Sequence, residues 1–281
     1  MFQRDLLAGK RVLVTGGGTG IGKSIAHRCL ELGAHVAICG RRREVLDATK
    51  AEFDADVPGR TAVHACDIRE PDQVEAMLDA LFAEQPPDML VNNAAGNFLA
   101  RSEDLSPRGF DAVTRIVLNG TANVTLGTGR RWIAHGRGGS VVAIVTTYAR
   151  TGSPYVLPSA CAKAGVETMM KSLAVEWGPK GIRCNAVAPG PFPTEGAWER
   201  LVPNAGLESA WKKRIPMRRF GEHRELADLV CFLLAPQTGY VNGDTVTIDG
   251  GEWLRGAAQF AFAEDLTEEQ WAAMAPKKSR G

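Results

Sequence analysis

The chain of 281 residues has almost no net charge and no long apolar segment. Its 33 lysine and arginine residues nearly balance 32 aspartate and glutamate residues, which leaves a formal charge of +1. A balanced surface offers no electrostatic argument for binding nucleic acid or an anionic membrane. No apolar run approaches the ~20 residues needed to span a bilayer, and no signal-like segment precedes the first predicted strand. We therefore expect a soluble intracellular protein with no nucleic-acid partner and no membrane insertion.

The six cysteines form no recognisable metal or disulfide pattern. They are scattered, with no CxxC pair and no His/Cys cluster at metal-ligand spacing. We expect no metal site, and we expect most of these side chains to be small buried hydrophobic groups. Cys161 is the exception to check, because it lies near the predicted active site. Internal repeats and low-complexity blocks are absent as well.

Apolar runs typical of strands alternate with amphipathic stretches typical of helices along the chain. This alternation predicts an α/β fold, a Rossmann-type doubly wound parallel β-sheet with helices on both faces, in a single domain. We place that domain at 1–252 and a substrate lid within it at 195–219. Residues 253–281 form a C-terminal extension, which we expect to pack on the core or on a neighbouring subunit and to fray at its end. The extension carries four large aromatic residues, Trp253, Phe260, Phe262 and Trp271.

A glycine-rich turn follows the first predicted strand, Arg11–Thr15, and leads into an amphipathic stretch that ends at Leu32. Glycines permit a tight turn and let backbone N–H groups approach a pyrophosphate, whose charge is stabilised by a helix N-terminus. A lone glycine cluster would also suit an ordinary loop, but the order strand, turn, helix indicates a dinucleotide site. The residues predicted to contact the cofactor here are Thr15, Gly16, Gly18, Thr19, Gly20 and Ile21.

Basic residues follow the second predicted strand, His35–Cys39, where an NAD-specific fold would place an acidic residue for the ribose 2′-hydroxyl. The chain has Arg41 and Arg42 at this point, and a guanidinium can pair with a 2′-phosphate through two hydrogen bonds. The pattern therefore predicts NADP(H) as the cofactor. A solvated basic helix start is the alternative.

Three further strand ends are predicted to contact the same cofactor. Asp67, followed by Ile68, could accept a hydrogen bond from the adenine amino group or could simply cap a turn. The small residues and amides after strand Met89–Asn92 suit a wall against which the nicotinamide ribose packs. The proline-rich loop after strand Arg183–Ala188 should be rigid, and its threonine could reach the phosphates or the carboxamide. The contacts predicted from these two segments are Asn93, Ala94, Ala95, Gly96, Pro189, Gly190, Phe192 and Thr194.

The stretch Ser140–Gly165 reads as a strand, a loop and the start of a helix, and it is the most informative part of the sequence. Lys163 lies on the helix that begins near Val156. One helical turn earlier, where a catalytic tyrosine would be sought, the residue is Ser159. A phenol is available instead at Tyr148, just after the strand.

A polar residue interrupts the long helix predicted to start at Ser106. Asn119 is a poor helix former in the interior of that helix. Its amide either holds a water or a backbone carbonyl near Lys163, or it is a satisfied buried polar group.

The predicted lid contains Trp198, Trp211 and several cations without a strong period. A charged substrate tail would suit these cations, but such a run also occurs on solvated faces. The cations are Lys212, Lys213, Arg214, Arg218 and Arg219.

Together these residues identify the chain as similar to the short-chain dehydrogenase/reductase family over nearly its whole length. The resemblance rests on TGGGTGIG at 15–22, NNAAG at 92–96, Asn119, Lys163 and PGP at 189–191. The usual Tyr-x-x-x-Lys of that family appears here as Ser159-Ala-Cys-Ala-Lys163. The family's usual serine on the preceding strand corresponds to Thr146, which keeps a hydroxyl group.

That departure resembles the 2,4-dienoyl-CoA reductase branch, through TTYARTGSPYVLPSACAKAGVE, NNAAGNF, IVLNGT, DGGEW and LTEEQW. The resemblance implies that Tyr148 and Asn97 lie at the substrate and that Lys163 binds the nicotinamide ribose. It also implies NADPH-dependent reduction of an acyl-CoA diene to a 3-enoyl-CoA in unsaturated fatty acid degradation, by a homotetramer. Because the chain ends in Ser-Arg-Gly rather than Ser-Lys-Leu, we expect a cytoplasmic location.

The chemistry implied by the resemblance is a conjugate reduction. Negative charge would reach the thioester oxygen, where Tyr148 and Asn97 are suitable hydrogen-bond donors, and the α-carbon would be protonated by Tyr148 or by water. Ser159 is a poor acid for reducing a carbonyl to an alcohol. Three alternatives remain: a 2-enoyl-CoA reductase, a ketoreductase or alcohol dehydrogenase with Tyr155 or Tyr148 in the acid role, and an NADPH-binding protein without catalysis.

Overall fold

The computed structural model describes residues 3–194 and 205–274. Seven strands form one sheet in the order β3-β2-β1-β4-β5-β6-β7, and all six pairings are parallel. The predicted doubly wound parallel sheet is therefore confirmed. The strands are β1 Arg11–Thr15, β2 His35–Gly40, β3 Thr61–Ala65, β4 Met89–Asn92, β5 Gly139–Ile144, β6 Ile182–Pro189 and β7 Thr245–Ile248.

Helices connect the strands and cover both faces of the sheet. Those among the described residues are α1 Gly20–Glu31, α2 Arg43–Asp56, α3 Pro71–Glu84, α4 Pro107–Thr114, α5 Gly120–Ala134, α6 Tyr148–Thr151, α7 Leu157–Trp177, α8 Ala205–Arg214, α9 His223–Leu234, α10 Glu252–Ala257 and α11 Glu268–Met274. A π-helical turn, Arg115–Asn119, joins α4 to α5 without a break.

Two hydrophobic clusters lie on opposite faces of the sheet because successive strand residues point to opposite sides. In β1, Val12 and Val14 belong to one cluster and Leu13 belongs to the other. Both faces are thus buried, as expected of a parallel sheet between helical layers.

The strand order places a crevice at the carboxyl ends of the central strands. The chain runs from β1 to β2 and β3 on one side, and then crosses to β4 and β5 on the other side. In an open α/β sheet, ligands bind at the carboxyl ends of the strands, where the order reverses. The segments after β1, β4 and β5 therefore meet at the predicted site.

The predicted domain boundary and the predicted lid can be placed on the described helices. The predicted boundary between domain and extension at 252/253 falls inside helix α10, so the extension begins within a helix next to the last strand. Part of the predicted lid is helix α8. Residues 195–204, which include Trp198, and the predicted frayed end at 276–281 lie outside the described residues.

Candidate active site

A cleft of about 1030 Å³ opens at the carboxyl ends of the strands. Its volume is at the upper end of the range for small-molecule sites, which suits a site that holds a cofactor and a substrate together. The cleft is lined by most of the predicted cofactor residues, which are Gly16, Gly18, Thr19, Gly20, Ile21, Arg41, Arg42, Asp67, Ile68, Asn93, Ala94, Ala95, Pro189, Gly190, Phe192 and Thr194. Thr15 and Gly96 are not among the lining residues.

The glycine turn needs glycine for two different reasons. Gly16 and Gly20 have φ of +65° and +53°, a region that other residues rarely adopt. At Gly22 the reason is space, because an added Cβ would lie 2.3 Å from Asn93 Nδ2 and 2.4 Å from the carbonyl oxygen of Gly16. The turn therefore packs tightly against the residues that follow β4.

Thr15 supports this turn from behind the cleft. Its buried hydroxyl oxygen accepts from the backbone N–H groups of Asn93 and Ala94, both at 3.0 Å. Asn93 in turn donates its side-chain N–H to the carbonyl oxygens of Thr15 at 3.1 Å and Gly16 at 3.3 Å. These bonds fix the ends of β1 and β4 relative to each other.

The start of helix α1 fits the phosphates of a dinucleotide. Its N-cap residue, Thr19, makes no side-chain capping hydrogen bond, and its first turn carries no acidic residue. The first N–H groups of a helix lack partners within the helix and favour an anion. An anionic ligand in the cleft would meet these groups directly.

The basic pair after β2 is exposed at the cleft. Arg41 and Arg42 form no ion pair within the described residues, whereas Arg43 bonds to Asp47 at 2.9 Å. Asp67 accepts from the backbone N–H of Arg69 at 3.1 Å and also from its guanidinium, so the turn-capping interpretation of Asp67 holds. Hydrogen bonds from the Arg69 side chain hold the pKa of Asp67 below its usual value. Asp67 also lines the cleft.

Tyr148, Ser159 and Lys163 come together at the end of β5. Tyr148 is the first residue of helix α6, and its hydroxyl lies 3.2 Å from Ser159 Oγ. Ser159 and Lys163 lie one turn apart on helix α7 and are only 3% and 8% exposed. The Lys163 ammonium donates to the carbonyl oxygen of Ile144. Burial lowers the pKa of Lys163 to about 8.

Among the other predicted catalytic residues, the structure brings Thr146 and Asn97 to the cleft. Asn97 Oδ1 accepts from the N–H of Phe98 at 2.9 Å, and within the described residues no acceptor contacts its Nδ2. Asn119 ends the π-helical turn; it is exposed, does not line the cleft, and shows no side-chain hydrogen bond to a described residue. The interpretation of Asn119 as a satisfied buried polar group is therefore wrong. Its role near Lys163 stays a prediction.

The far wall of the cleft was predicted only in part: Trp211 and Arg214 belong to the predicted lid, whereas Glu252 was not predicted and Trp253 was assigned to the extension. Trp211 of α8 donates its indole N–H to Glu252 of α10 at 2.6 Å, and both residues line the cleft. Burial raises the pKa of Glu252. Trp253 and Arg214 complete this wall. The topology could have indicated Glu252 and Trp253, because residues that directly follow β7 lie on the same side of the sheet as the carboxyl ends of the other strands.

Most of the other described basic and aromatic residues of the predicted lid and extension do not line the cleft. Among the described residues of the predicted lid, 205–219, Arg214 is the cation that lines the cleft, while three other cations pair with carboxylates. Those pairs are Lys212 with Glu208, Arg218 with Glu264 and Arg219 with Glu225. In the extension, Phe260, Phe262 and Trp271 are exposed.

The cysteine prediction holds in the structure. Cys161 is exposed and does not line the cleft, and the other five cysteines are buried. Within residues 3–194 and 205–274 no group of three or more His, Cys, Asp or Glu side chains is arranged to hold a metal ion. No helix in the same ranges has the length and apolarity to cross a membrane.

The fold and cleft suit a nicotinamide cofactor, and comparison with known proteins gives the family of the chain. A family model described as Enoyl-(Acyl carrier protein) reductase matches residues 16–252. The chain belongs to the short-chain dehydrogenase/reductase family.

Several named relatives are similar over most of the chain. A probable (3E)-enoyl-CoA-producing 2,4-dienoyl-CoA reductase of Caenorhabditis elegans is 45% identical over 271 residues, which cover 94% of this chain and 88% of the relative. A probable (2E)-enoyl-CoA-producing 2,4-dienoyl-CoA reductase of Bacillus subtilis is 41% identical over 247 residues, covering 87% and 97%. The crystal structure of a gluconate 5-dehydrogenase from Burkholderia cenocepacia with NADP and tartrate superposes with a TM-score of 0.83 at 32% identity, covering 91% and 98%. The predicted resemblance to 2,4-dienoyl-CoA reductases is confirmed.

Proposed function

We propose that this protein reduces 2,4-dienoyl-CoA thioesters to 3-enoyl-CoA with NADPH, as a step in unsaturated fatty acid degradation. The observation that carries the proposal is the position of Tyr148. Its phenol stands in the cleft beside Ser159, which occupies the position where the family usually has its tyrosine. Relatives at 41% and 45% identity that are named as 2,4-dienoyl-CoA reductases support the same substrate class.

When bound, a reduced nicotinamide would supply the hydride. The residues of this chain then have to stabilise the negative charge that conjugation carries to the thioester oxygen of the substrate. Tyr148 offers an O–H donor, and Asn97 offers a side-chain N–H that no described residue accepts. A well-placed donor of this kind typically contributes ~10² to 10³ in rate.

Lys163 has two roles in the proposal. Its buried ammonium donates to Ile144 O at the end of β5, which fixes its position at the cleft floor. From there it can donate to the ribose of the cofactor, and its positive charge would help to stabilise the negative charge that develops in the cleft. Proton delivery to the α-carbon falls to Tyr148 or to a water beside it.

NADPH is proposed over NADH because Arg41 and Arg42 line the cleft without ion-pair partners among the described residues. A 2′-phosphate would give these guanidinium groups a bidentate partner. Cytoplasmic location and a homotetrameric assembly, both expected from the sequence, stay predictions.

Reduction of a 2-enoyl thioester is the second candidate, because the matching family model carries the description Enoyl-(Acyl carrier protein) reductase. Such a reaction also places negative charge on a thioester oxygen, so the same donors would serve it. The ketoreductase alternative with Tyr155 is less well supported, since Tyr155 is 59% exposed and does not line the cleft.

Substitution of Tyr148 tests the role proposed for it. We expect Tyr148→Phe to lower kcat on a medium-chain 2,4-dienoyl-CoA by roughly 10² to 10³, since one donor to the developing charge is lost. Tyr155→Phe is the matched control and should keep wild-type turnover. Rates are measured as NADPH consumption, and NADPH affinity is measured separately. Full turnover by Tyr148→Phe would remove this tyrosine from the mechanism.

A further inference from the structure

One face of helix α7 carries three buried polar side chains, one turn apart. They are Ser159, Lys163 and Glu167, which are 3%, 8% and 4% exposed. Ser159 contacts the Tyr148 hydroxyl and Lys163 bonds to the end of β5. Glu167 has no place in the chemistry described so far, yet a buried carboxylate is retained only where charged or hydrogen-bonding partners offset its desolvation.

The partners of Glu167 lead back to Tyr148. Glu167 Oε1 accepts from Arg150 Nε at 2.9 Å and from Lys171 Nζ at 2.7 Å. Burial would raise the pKa of Glu167, but these two hydrogen bonds outweigh it and the pKa is lowered. Arg150 lies two residues after Tyr148 in the four-residue helix α6. Helix α6 is therefore attached to α7 at two points, through Tyr148 to Ser159 and through Arg150 to Glu167.

Arg150 also reaches the opposite wall of the cleft. Its guanidinium lies 5.6 Å from the ring centroid of Trp253 and donates to the carbonyl oxygen of Thr245 in β7 at 3.3 Å. Trp253 lines the cleft. Arg150 therefore links helix α6, which carries Tyr148, to helix α7 and to the cleft wall formed by α10. A cation over an aromatic ring and a charge-assisted hydrogen bond to a buried carboxylate are both sensitive to geometry.

We propose that Arg150, anchored by the buried carboxylate of Glu167, is a positioning residue that fixes the phenol of Tyr148 against Ser159 and holds Trp253 in the cleft wall. The proposal deepens the proposed function and rests on it, because it takes Tyr148 as the group that acts on the substrate. Misplacement of a reacting group by about 1 Å can cost roughly 10² in rate.

Kinetics of two Arg150 variants and one matched control test this role. We expect Arg150→Ala to lower kcat on 2,4-dienoyl-CoA by roughly 10- to 100-fold while KM for NADPH changes less than about twofold. Arg150→Lys keeps a cation and should recover part of the loss. Lys171→Ala is the matched control, because it removes the other partner of Glu167 and leaves the Arg150 bond in place; it should keep wild-type kcat. Glu167→Gln removes the negative charge that anchors Arg150 and should lower kcat in the same direction as Arg150→Ala.

A double variant separates positioning from a general loss of stability. If Arg150 acts through Tyr148, adding Arg150→Ala to Tyr148→Phe should lower kcat little further, because the two changes remove one effect. Losses that multiply in the double variant would overturn the proposal. So would an Arg150→Ala protein that is less stable to heat but keeps wild-type kcat.

An activity-independent measurement distinguishes failure of this proposal from failure of the proposed function. The chain has three tyrosines, and Tyr155 and Tyr240 are exposed, so replacing both with Phe leaves Tyr148 as the sole phenol. With tyrosine labelled with ¹³C at Cζ, the protein then gives one reporter resonance. We expect Arg150→Ala to move it and Lys171→Ala to leave it in place. If the wild-type protein is silent on dienoyl-CoA but this pattern holds, the proposed function falls and the positioning stands; an unmoved resonance in Arg150→Ala would overturn the positioning.

Discussion

At the scale of single residues, the site depends on a phenol and an ammonium that reach the cleft from different elements. Tyr148 comes from the short helix after β5, and Lys163 comes from the interior of α7. Ser159, between them, provides a contact for the phenol hydroxyl at 3.2 Å instead of a phenol of its own. In the proposed function, this arrangement supplies the phenol from Tyr148 rather than from the position of Ser159.

The buried lysine predicts a pH profile. Burial lowers the pKa of Lys163 to about 8, so its ammonium form is complete well below pH 8 and is lost as the pH rises through that value. We expect kcat/KM for the free enzyme to fall on the alkaline side with an apparent pKa near 8, because the neutral amine has lost a donor and its charge.

The Lys163→Arg variant provides the control for that profile, since a guanidinium stays charged over the whole range. Its activity should be lower because the longer planar group cannot repeat the bond to Ile144 O, but its alkaline decline should be absent. An unchanged decline in Lys163→Arg would assign the titration to another group.

At the scale of elements, the cofactor half of the site consists of short turns after strands. The turn after β1 packs against Asn93, and the turn after β2 presents Arg41 and Arg42. Local patterns were sufficient to predict these turns, because a glycine-rich turn and arginines after a strand can each be recognised from a few consecutive residues.

Substitutions in the basic turn after β2 test the cofactor assignment. We expect Arg41→Ala and Arg42→Ala each to raise the Kd for NADPH by roughly 10- to 100-fold, the value of one lost charge-assisted hydrogen bond. NADH affinity should be unchanged because it has no 2′-phosphate. Arg43→Ala is the matched control, since Arg43 bonds to Asp47 and does not line the cleft. Isothermal titration calorimetry gives these constants, and equal wild-type affinities for NADH and NADPH would contradict the assignment.

The substrate half of the site could not be predicted in the same way. Trp211 and Glu252 are 41 residues apart in sequence, and Arg150 and Trp253 are farther apart still. No periodicity or spacing links such pairs; only the strand order, which brings β7 beside β6, places α10 across from α6. The extension predicted to begin at 253 therefore contributes Trp253 to the cleft. Asn119, which proved to be exposed, ends a π-helical turn that local propensity does not reveal.

At the scale of the whole molecule, the parallel sheet sets where chemistry can occur. All seven strands run in the same direction, so the turn after β1, the phenol after β5 and the tryptophan after β7 meet at one edge. The two hydrophobic clusters pack the helices against both faces of the sheet. The proposed substrate class rests on the few side chains that depart from the family pattern, Tyr148 and Ser159 above all.

Consumption of NADPH by the purified protein, followed with a medium-chain 2,4-dienoyl-CoA beside the matching 2-enoyl-CoA and 3-ketoacyl-CoA, tests the central claim most directly. The proposed function predicts rapid loss of NADPH with the diene, with slow or no loss with the other two thioesters, and a 3-enoyl-CoA as the product. Turnover confined to the 2-enoyl or 3-keto thioester would contradict it and would assign the cleft to a different reduction.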